Sequence, residues 1–437
     1  MIQTLDLRGT RPTRAELAHL VPRAEVDVAV ASVAAAELIA AVRERGEEAL
    51  LEQSERFDRV RPRAVRVAPA TIAEAVETLD PAVRAALEES IRRVREASAA
   101  QVPPVRTTTL GDGAEVLQRW QPMDRVGLYV PGGKAVYPSS VVMNVVPAQV
   151  AGVGGIALAS PAQAESGGLP HPTILGAAGL LGVDEVYAMG GAGAIGALAY
   201  GVPSIGLDPV DLVTGPGNIF VAAAKRLVRG VVGVDAEAGP TEIVVIADAT
   251  ADPRFVAADL VSQAEHDEIA AAVLVTDAPD LARAVVAELD RQLAATAHRE
   301  RATTALDGRQ SAVVLVDDIP TAAAFSDAYG PEHLELQTAD PEATLALVHN
   351  AGAIFLGGDA PVSLGDYLAG SNHVLPTAGQ SRFSSGLAAA TFLRPQQVIR
   401  YTHDGLAAVR GHIRALSDAE QLPGHGDAVD ARFPANR

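Results

Sequence analysis

Apolar residues recur at helical spacing along the first hundred positions of the chain. Residues 26–56 and 70–100 each place a hydrophobic side chain every three or four positions, and the second stretch opens with Thr71, a candidate N-cap. This pattern predicts two long helices. The arginines between them are interpreted as a solvated connector: Arg56, Arg59, Arg61, Arg63 and Arg66.

From about residue 110, short β-rich runs alternate with glycine-rich turns and alanine-rich helices. Such alternation is typical of a parallel, doubly wound sheet. The first region has predicted strands at 126–130, 155–159 and 185–189, and helices at 173–181 and 194–200. The second has predicted strands at 243–246, 271–275, 312–316 and 353–356, and helices at 253–265, 279–295 and 341–350. We therefore predict an α/β fold with two Rossmann-like parallel-sheet domains.

The predicted domain division has four parts. Residues 1–25 form an N-terminal segment, residues 26–110 with 240–385 form one α/β domain, residues 111–239 form a second, and residues 386–437 form a short, more polar C-terminal segment. The uncharged stretch 135–164 is long enough for a membrane span. Prolines, glycines, Asn144 and Gln149 interrupt it, so a buried α/β core is the favoured interpretation.

Composition excludes several classes of function. The 437-residue chain is 48% hydrophobic, as a globular protein requires, and its net charge of -19 argues against nucleic acid and anionic membranes as partners. It has no cysteine, so thiolate metal sites and thiol nucleophiles are excluded. The absence of cysteine and of an apolar signal core at the N-terminus predicts a cytoplasmic protein.

Glu332 and His333 stand side by side after a Gly-Pro pair. Glutamate and histidine are frequent general acids and bases near neutral pH. Neighbouring residues do not share one helix face, so a loop or a strand end must direct both side chains to one site. Taken alone, such a pair is usually a solvated feature of a loop.

Two glycine-rich turns follow predicted strands. Residues 191–196 satisfy G-x-G-x-x-G, open a helix, and are followed by Asp211 at the distance expected of a dinucleotide fingerprint. With 39 glycines in the chain, chance spacing explains this match equally well. Residues 213–218 form a second turn, which suits either a phosphate or ribose contact or an ordinary loop in which Asn218 caps a helix.

Polar residues elsewhere form a candidate metal site. Gln263 and His266 are spaced to share one face at the end of a predicted helix, although a hydrogen-bonded surface histidine is the ordinary alternative. Asp366 and His425 lie in glycine-bounded segments that are also consistent with plain turns. Together, these four residues offer zinc four nitrogen or oxygen ligands without cysteine.

Six blocks of the chain, in order, resemble the histidinol dehydrogenase family. They are 127–133 (GLYVPGG), 215–218 (GPGN), 238–242 (AGPTE), 263–267 (QAEHD), 330–335 (GPEHLE) and 370–377 (GSNHVLPT). The resemblance implies a zinc-dependent enzyme, with one zinc ion per subunit, that oxidises L-histidinol to L-histidine through histidinaldehyde with two NAD. It also implies an intertwined homodimer, in which the C-terminal segment reaches the active site of the partner.

The same resemblance implies a role for particular residues. Glu332 and His333 become the catalytic acid and base, and residues 111–239 become the domain that contacts NAD. The implied zinc ligands are Gln263, His266, Asp366 and His425. The implied substrate contacts are Thr241, Gln263, His266, His333, Asp366, Glu420 and His425. The implied NAD contacts are Tyr129, Asn218 and position 193.

Two residues depart from the family pattern. Thr241 stands where the family usually has serine, and it keeps the hydroxyl. Gly193 stands where the family usually has glutamine, so position 193 offers NAD only its backbone. This glycine also creates the G-x-G-x-x-G match, which is therefore interpreted as largely accidental.

Oxidation of an alcohol to an acid removes two hydrides, with an aldehyde between them. Without cysteine, the aldehyde must be hydrated rather than captured by a thiol, so Glu332 is the expected base for water and His333 the base in both hydride steps. Three alternatives remain: a zinc hydrolase, an NAD-dependent enzyme for a related amino alcohol, and a non-catalytic nucleotide-binding scaffold.

Overall fold

The structure is a computed structural model that describes residues 2–10, 12–24, 28–132, 135–236 and 239–433. Parts of some predictions lie outside these residues. They are the first two residues of the predicted helix 26–56, the end of the turn after strand 126–130, the first residue of the block 238–242, and the last four residues of the tail.

The strands are β1 (Gln3–Asp6), β2 (Arg106–Gly111), β3 (Ala114–Pro122), β4 (Arg125–Tyr129), β5 (Gly155–Ser160), β6 (Val186–Ala188), β7 (Leu212–Thr214), β8 (Gly233–Val234), β9 (Glu242–Ala247), β10 (Ala271–Thr276), β11 (Ala312–Leu315), β12 (His333–Gln337), β13 (Ala353–Leu356) and β14 (Leu393–Tyr401). The α-helices are α1 (Arg14–Leu20), α2 (Val28–Arg45), α3 (Glu47–Phe57), α4 (Pro69–Glu77), α5 (Pro81–Ala100), α6 (Pro138–Ala151), α7 (Pro172–Leu180), α8 (Gly191–Tyr200), α9 (Ile219–Val228), α10 (Pro253–Ala264), α11 (Pro279–Leu293), α12 (Arg299–Asp307), α13 (Ile319–Tyr329), α14 (Pro341–Leu345), α15 (Val362–Tyr367), α16 (His403–Ala419) and α17 (Pro423–Asp430).

Two parallel sheets confirm the predicted fold class. The first has the strand order β6-β5-β4-β7-β8 and the second has the order β1-β11-β10-β9-β12-β13. In each, the order reverses at one point, between β4 and β7 in the first and between β9 and β12 in the second. Such reversal points of doubly wound sheets leave a crevice where ligands bind.

Burial explains why the strand sequences are continuously apolar. Every residue of β9 is buried, with Ile243 and Val245 packed into the core on one face of the second sheet and Val244 and Ile246 into the core on the other. Helices cover both faces of such a sheet, so its central strands need no polar side. The uncharged stretch 135–164 is likewise buried core, because almost every residue of α6 is buried.

The two predicted N-terminal helices are each divided in the structure. The prediction for 26–56 is wrong at Gly46, which adopts φ 57° and ψ -127° and separates α2 from α3. The prediction for 70–100 is wrong around Asp80, whose side chain caps α5 immediately before Pro81. Proline lacks the N–H that a helix interior requires but fits the first helical position, so it starts a new helix there.

Several elements were missed from the sequence. The strand β12 begins at His333, which confirms that a strand end directs the Glu-His pair. The tail, expected to be short and polar, contains a nine-residue strand, β14, that pairs antiparallel with β3. Its solvent-exposed residues hid the strand, because β-patterns are recognised by their buried face.

The chain divides into two compact units. The first comprises Met1–Gln101 with Met123–Phe392 and holds both parallel sheets; the second comprises Val102–Pro122 with Leu393–Arg437 and holds the antiparallel sheet β14-β3-β2 with α16 and α17. The four-part domain division stays a prediction. Among the described residues, no helix combines the length and apolar character that crossing a membrane requires.

Candidate active site

A cavity of about 1010 Å³ lies in the first unit, and residues from both parallel sheets line it. The first sheet contributes its carboxyl edge, with Tyr129 at the end of β4 and residues 215–218 after β7. The second sheet contributes its amino edge, with Glu242 at the start of β9 and His333 at the start of β12. The carboxyl edge of the first sheet and the amino edge of the second therefore border one cavity.

Glu332 is held by hydrogen bonds at the bottom of this cavity. Its Oε2 accepts from the Thr241 hydroxyl at 2.6 Å and from the backbone N–H of Glu242 at 2.9 Å. Burial raises the pKa of Glu332 to about 7, against the lowering effect of these two hydrogen bonds. A carboxyl group with such a pKa can gain or lose a proton near neutral pH.

His333 presents one nitrogen to the backbone and leaves the other available. Its Nδ1 lies 3.3 Å from the carbonyl oxygen of Glu242, which can only accept, so Nδ1 carries the proton. Burial lowers the pKa of His333 to about 4, so the ring is neutral near pH 7. The unprotonated Nε2 is therefore a base, and the backbone of β9 orients it.

The side chain of Gln263 fits a role as a metal ligand. Its Nε2 donates at 2.6 Å to the Thr241 hydroxyl, whose own proton is given to Glu332. This chain of hydrogen bonds fixes the orientation of the Gln263 amide and directs its Oε1 away from the Thr241 hydroxyl. Oε1 is buried without a hydrogen-bond partner among the described residues, although buried oxygens are nearly always satisfied. A bound cation would satisfy it.

His266 also has the arrangement of a metal-ligating histidine. It lies just beyond the end of α10, so the expectation that it shares a helix face with Gln263 is wrong. Its Nδ1 lies 3.0 Å from the carbonyl oxygen of Ser262 and 3.2 Å from that of Gln263. Carbonyl oxygens can only accept, so these two carbonyls of the last turn of α10 place the proton on Nδ1. Nε2 stays free, as is usual when the other ring nitrogen of a ligand binds a carbonyl.

Asp366 lies in α15 and lines the same cavity, next to a histidine that was not predicted as a site residue. The Nδ1 of His373 donates at 3.1 Å to the backbone oxygen of Asp366, and its Nε2 lies 2.9 Å from the Ser140 hydroxyl of α6. Both ring nitrogens are thus engaged, and His373 links the backbone of Asp366 to α6. The block 370–377 was the signal for it in the sequence.

The first unit holds three of the four predicted zinc ligands. Within the described parts of the chain, no group of three or more His, Cys, Asp or Glu residues is arranged to hold a metal ion. Of the predicted ligands in the first unit, only His266 and Asp366 belong to those residue types, and the ligand set stays a prediction. The fourth predicted zinc ligand, His425, lies in α17 of the second unit. The predicted substrate contact Glu420 caps the C-terminus of α16 in the same unit.

The predicted NAD contacts Tyr129 and Asn218 line the cavity, but each already serves the fold. The Tyr129 hydroxyl accepts the N–H of Gly191 at 3.2 Å. Oδ1 of Asn218 accepts the N–H groups of Phe220 and Val221, so the helix cap that was the ordinary alternative is present. The Nδ2 group of Asn218 has no such task and is available to a ligand.

The turn 215–218 is held by a buried ion pair that the sequence did not reveal. Nζ of Lys225 lies 2.6 Å from Oδ1 of Asp235 and also donates to the carbonyl of Gly215, while Oδ2 of Asp235 accepts the N–H of Gly215 at 2.9 Å. Gly215 has φ 111°, and a Cβ there would lie 1.9 Å from the Tyr129 carbonyl oxygen. Only glycine fits this close approach.

We predict that Lys225→Met lowers the free energy of unfolding by about 3–5 kcal/mol, because it leaves the buried Asp235 carboxylate unpaired. Urea unfolding measures the change. Lys225→Met/Asp235→Asn should recover part of the loss. The matched control is Arg84→Met, which breaks the exposed pair with Glu88 and should cost less than about 1 kcal/mol. Equal losses in Lys225→Met and the control would contradict a structural role for the buried pair.

The G-x-G-x-x-G segment does not form a dinucleotide fingerprint. Gly193 and Gly196 lie inside α8, where a Cβ would meet Gln53 and Ile39 respectively. Asp211 precedes β7, and its Oδ2 accepts the backbone N–H groups of Asp124 and Arg125. The interpretation of the match as accidental is therefore supported, since these glycines serve helix packing.

Behind Glu332 lies a further buried cluster that the sequence did not indicate. The Glu242 side chain is 3.6 Å from Nε of Arg23, whose guanidinium stacks 4.5 Å from the ring centroid of Tyr329. Burial raises the pKa of Glu242 to about 7, although Arg23 acts to lower it. The cluster holds the start of β9, whose backbone orients both Glu332 and His333.

Comparisons with known proteins agree on one family. The sequence model of the family described as histidinol dehydrogenase matches residues 21–433. The chain is 68% identical to a histidinol dehydrogenase of Leifsonia xyli subsp. xyli and 61% identical to one of Nocardia farcinica, in each case over 99% of this chain and at least 98% of the relative. The crystal structure of histidinol dehydrogenase from Elizabethkingia anophelis superposes with a TM-score of 0.91 at 31% identity, covering 99% of this chain and 98% of that one.

Proposed function

The chain belongs to the histidinol dehydrogenase family, and from that premise we propose that it oxidises L-histidinol to L-histidine through histidinaldehyde, with two NAD and one zinc ion per subunit. The observation that carries the proposal is the neutral, backbone-oriented His333 beside Glu332 in a cavity lined by both sheets. Two candidate zinc ligands, His266 and Asp366, and two candidate NAD contacts, Tyr129 and Asn218, line this cavity.

Gln263, His266 and Asp366 would hold the zinc ion, with the partner subunit's His425 as the fourth ligand. When bound, the ion would fix the substrate by its imidazole and amino nitrogens and so place the reacting carbon against the nicotinamide. The free Oε1 of Gln263 and the free Nε2 of His266 support this assignment. Neither atom has a hydrogen-bond partner among the residues that the structure describes.

In the first oxidation, Nε2 of His333 accepts the proton of the substrate hydroxyl as hydride leaves for NAD. The Nδ1 proton stays on the ring and keeps its hydrogen bond to the carbonyl oxygen of Glu242, so the ring keeps its orientation while it becomes charged. The resulting aldehyde has no alkoxide from which hydride can leave. Glu332 therefore takes a proton from water as the water adds to the aldehyde carbon, and the charged His333 returns its proton to the carbonyl oxygen to give the hydrate. His333, neutral again, accepts a proton from the hydrate in the second oxidation.

Metal removal tests the proposal. We expect histidinol-dependent formation of NADH, followed by its near-ultraviolet absorbance, to disappear after treatment with a chelator and to return on addition of Zn²⁺. A chelator-treated sample with unchanged thermal unfolding serves as the control for folding. Full activity after complete metal removal would contradict the zinc assignment, and no NADH formation from histidinol in the zinc-loaded protein would contradict the function.

We further propose a homodimer with shared sites, in which the partner subunit's His425 and the partner subunit's Glu420 complete each cavity. A mixture of inactive His333→Ala and inactive His425→Ala, refolded together, should regain about a quarter of parental activity, because half the dimers are mixed and each has one intact site. The recovered activity and the fraction of mixed dimers are measured together. Mixed dimers without activity would contradict the shared site.

The alternatives are less well supported. A zinc hydrolase would leave the cavity wall from the first sheet, with Tyr129 and the turn 215–218, without a task. A relative acting on another amino alcohol would not be expected to keep all of the residues assigned to the imidazole. A cytoplasmic location accords with these assignments and stays a prediction.

A further inference from the structure

Gln53 of α3 occupies the space beside Gly193 that a longer side chain would otherwise fill. A Cβ placed on Gly193 would lie 2.0 Å from Oε1 of Gln53 and 2.9 Å from its Cδ. Real atoms do not approach so closely, so a side chain at position 193 would displace the Gln53 amide from this space. In this chain the occupant is the Gln53 amide.

The surroundings of Gln53 place its amide at the wall of the cavity. Gln53 lines the cavity, together with residues 190–192 at the start of α8. Gly193 is buried inside α8 and does not line the cavity. Nε2 of Gln53 donates to the carbonyl of Leu38 at 3.1 Å, which fixes the amide against α2. Its Oε1 has no hydrogen-bond partner among the described residues and is not among the atoms sealed from solvent.

This wall belongs to the half of the cavity formed by the first sheet. The carboxyl edge of that sheet supplies Tyr129 after β4 and the turn 215–218 after β7, which flank the reversal between these two strands. It also supplies residues 190–192 after β6, the edge strand on the other side of β5. In open parallel sheets, this crevice is where nucleotides bind. A half-buried amide with its donor engaged and its acceptor free is suited to receive one hydrogen bond from such a ligand.

We propose that Gln53 binds the NAD cofactor, with Oε1 accepting a hydrogen bond from a ribose hydroxyl or an amino group of the dinucleotide. The inference rests on the proposed function. It resolves the departure at Gly193, because the amide that position 193 lacks is supplied from α3, and the glycine is what makes room for it. Gln53 is thus a cofactor-binding residue of this chain and has no assigned part in the chemistry.

Substitutions at positions 53 and 193 test whether Gln53 supplies the amide that Gly193 lacks. We expect Gln53→Ala to raise the KM for NAD and the Kd for NADH about fivefold, as the loss of one hydrogen bond implies. The KM for histidinol and kcat should change less than about twofold, since Gln53 touches neither histidinol nor the reacting atoms. Gly193→Ala should act similarly without altering Gln53 itself, because its methyl group displaces the amide.

Two double variants make the test specific. Gly193→Ala should cost nothing further in the Gln53→Ala background, because the displaced group is already absent. Gln53→Ala/Gly193→Gln should restore NADH affinity to within about twofold of the parent, since the new amide enters the vacated space. The control is Gln292→Ala, which removes a helical glutamine whose Nε2 likewise donates to a carbonyl, that of Arg254, at 3.0 Å and does not line the cavity.

The outcomes separate this inference from the proposed function. Histidinol oxidation by the parent, with NADH affinity unchanged in both Gln53→Ala and Gly193→Ala, would overturn the role of Gln53 and leave the function standing. The role of Gln53 would also be overturned if the losses of NADH affinity in the two single variants multiplied in Gln53→Ala/Gly193→Ala. Independent losses would mean that Gly193→Ala does not act by displacing the Gln53 amide. A parent without NAD-dependent activity would instead overturn the function.

Discussion

His333→Asn should slow both oxidations by about 10²–10⁴-fold, the range associated with the loss of a general acid–base group. Asparagine keeps an N–H that can donate to the carbonyl of Glu242, as Nδ1 of His333 does at 3.3 Å, but it supplies no base in place of Nε2. The rates of NADH formation from histidinol and from histidinaldehyde, measured separately, report the two steps.

The matched control is His349→Asn. His349 is exposed and pairs with Asp327 on the protein surface, so its loss should leave both rates within about twofold. Near-normal turnover in His333→Asn, with its fold intact by thermal unfolding, would rule out His333 as the base. A loss confined to one step would assign it to that step alone.

Glu332→Gln should slow the second oxidation much more than the first. The amide can still accept from Thr241 and from the N–H of Glu242, so the site keeps its shape, but it cannot take a proton from water. We expect the second oxidation to fall by about 10²–10³-fold while the first falls less than about tenfold. Histidinaldehyde should then accumulate, and its hydrate should be oxidised faster than the unhydrated aldehyde.

Single-turnover measurements of each step test this prediction, with Glu342→Gln, on the exposed face of α14, as the control. Equal losses in the two steps would remove water activation as the particular role of Glu332. The raised pKa of about 7 adds an expectation, because only the ionised carboxylate accepts the proton. In the parent, the second oxidation should gain as pH rises through that pKa, and in Glu332→Gln this gain should be absent.

The fold was largely predictable because buried parallel strands are continuously apolar. Strands such as β9 and β10 are recognisable in the sequence because they consist mostly of Ile, Val, Leu and Ala. The unpredicted β14 carries its residues mostly to solvent, and the break at Gly46 depends on a single glycine in an otherwise helical pattern. Neither leaves a strong periodic signal.

The sequence predicted the site only for residues that belong to a recognisable motif. Glu332 and His333 stand together in the sequence, and their strand-end position is confirmed. The hydrogen-bond chain from Gln263 through Thr241 to Glu332 joins residues up to 91 positions apart, so no local pattern reveals it. The same holds for Lys225 with Asp235 and for Gln53 beside Gly193, where folding alone brings the partners together.

One measurement tests the central claim most directly: the number of NAD molecules reduced per molecule of histidinol consumed by the zinc-loaded protein. The proposed route, with His333 as base in both steps and Glu332 hydrating the aldehyde between them, predicts two NADH and one histidine for each histidinol. One NADH with release of the aldehyde, or histidinol consumption without NADH, would contradict it.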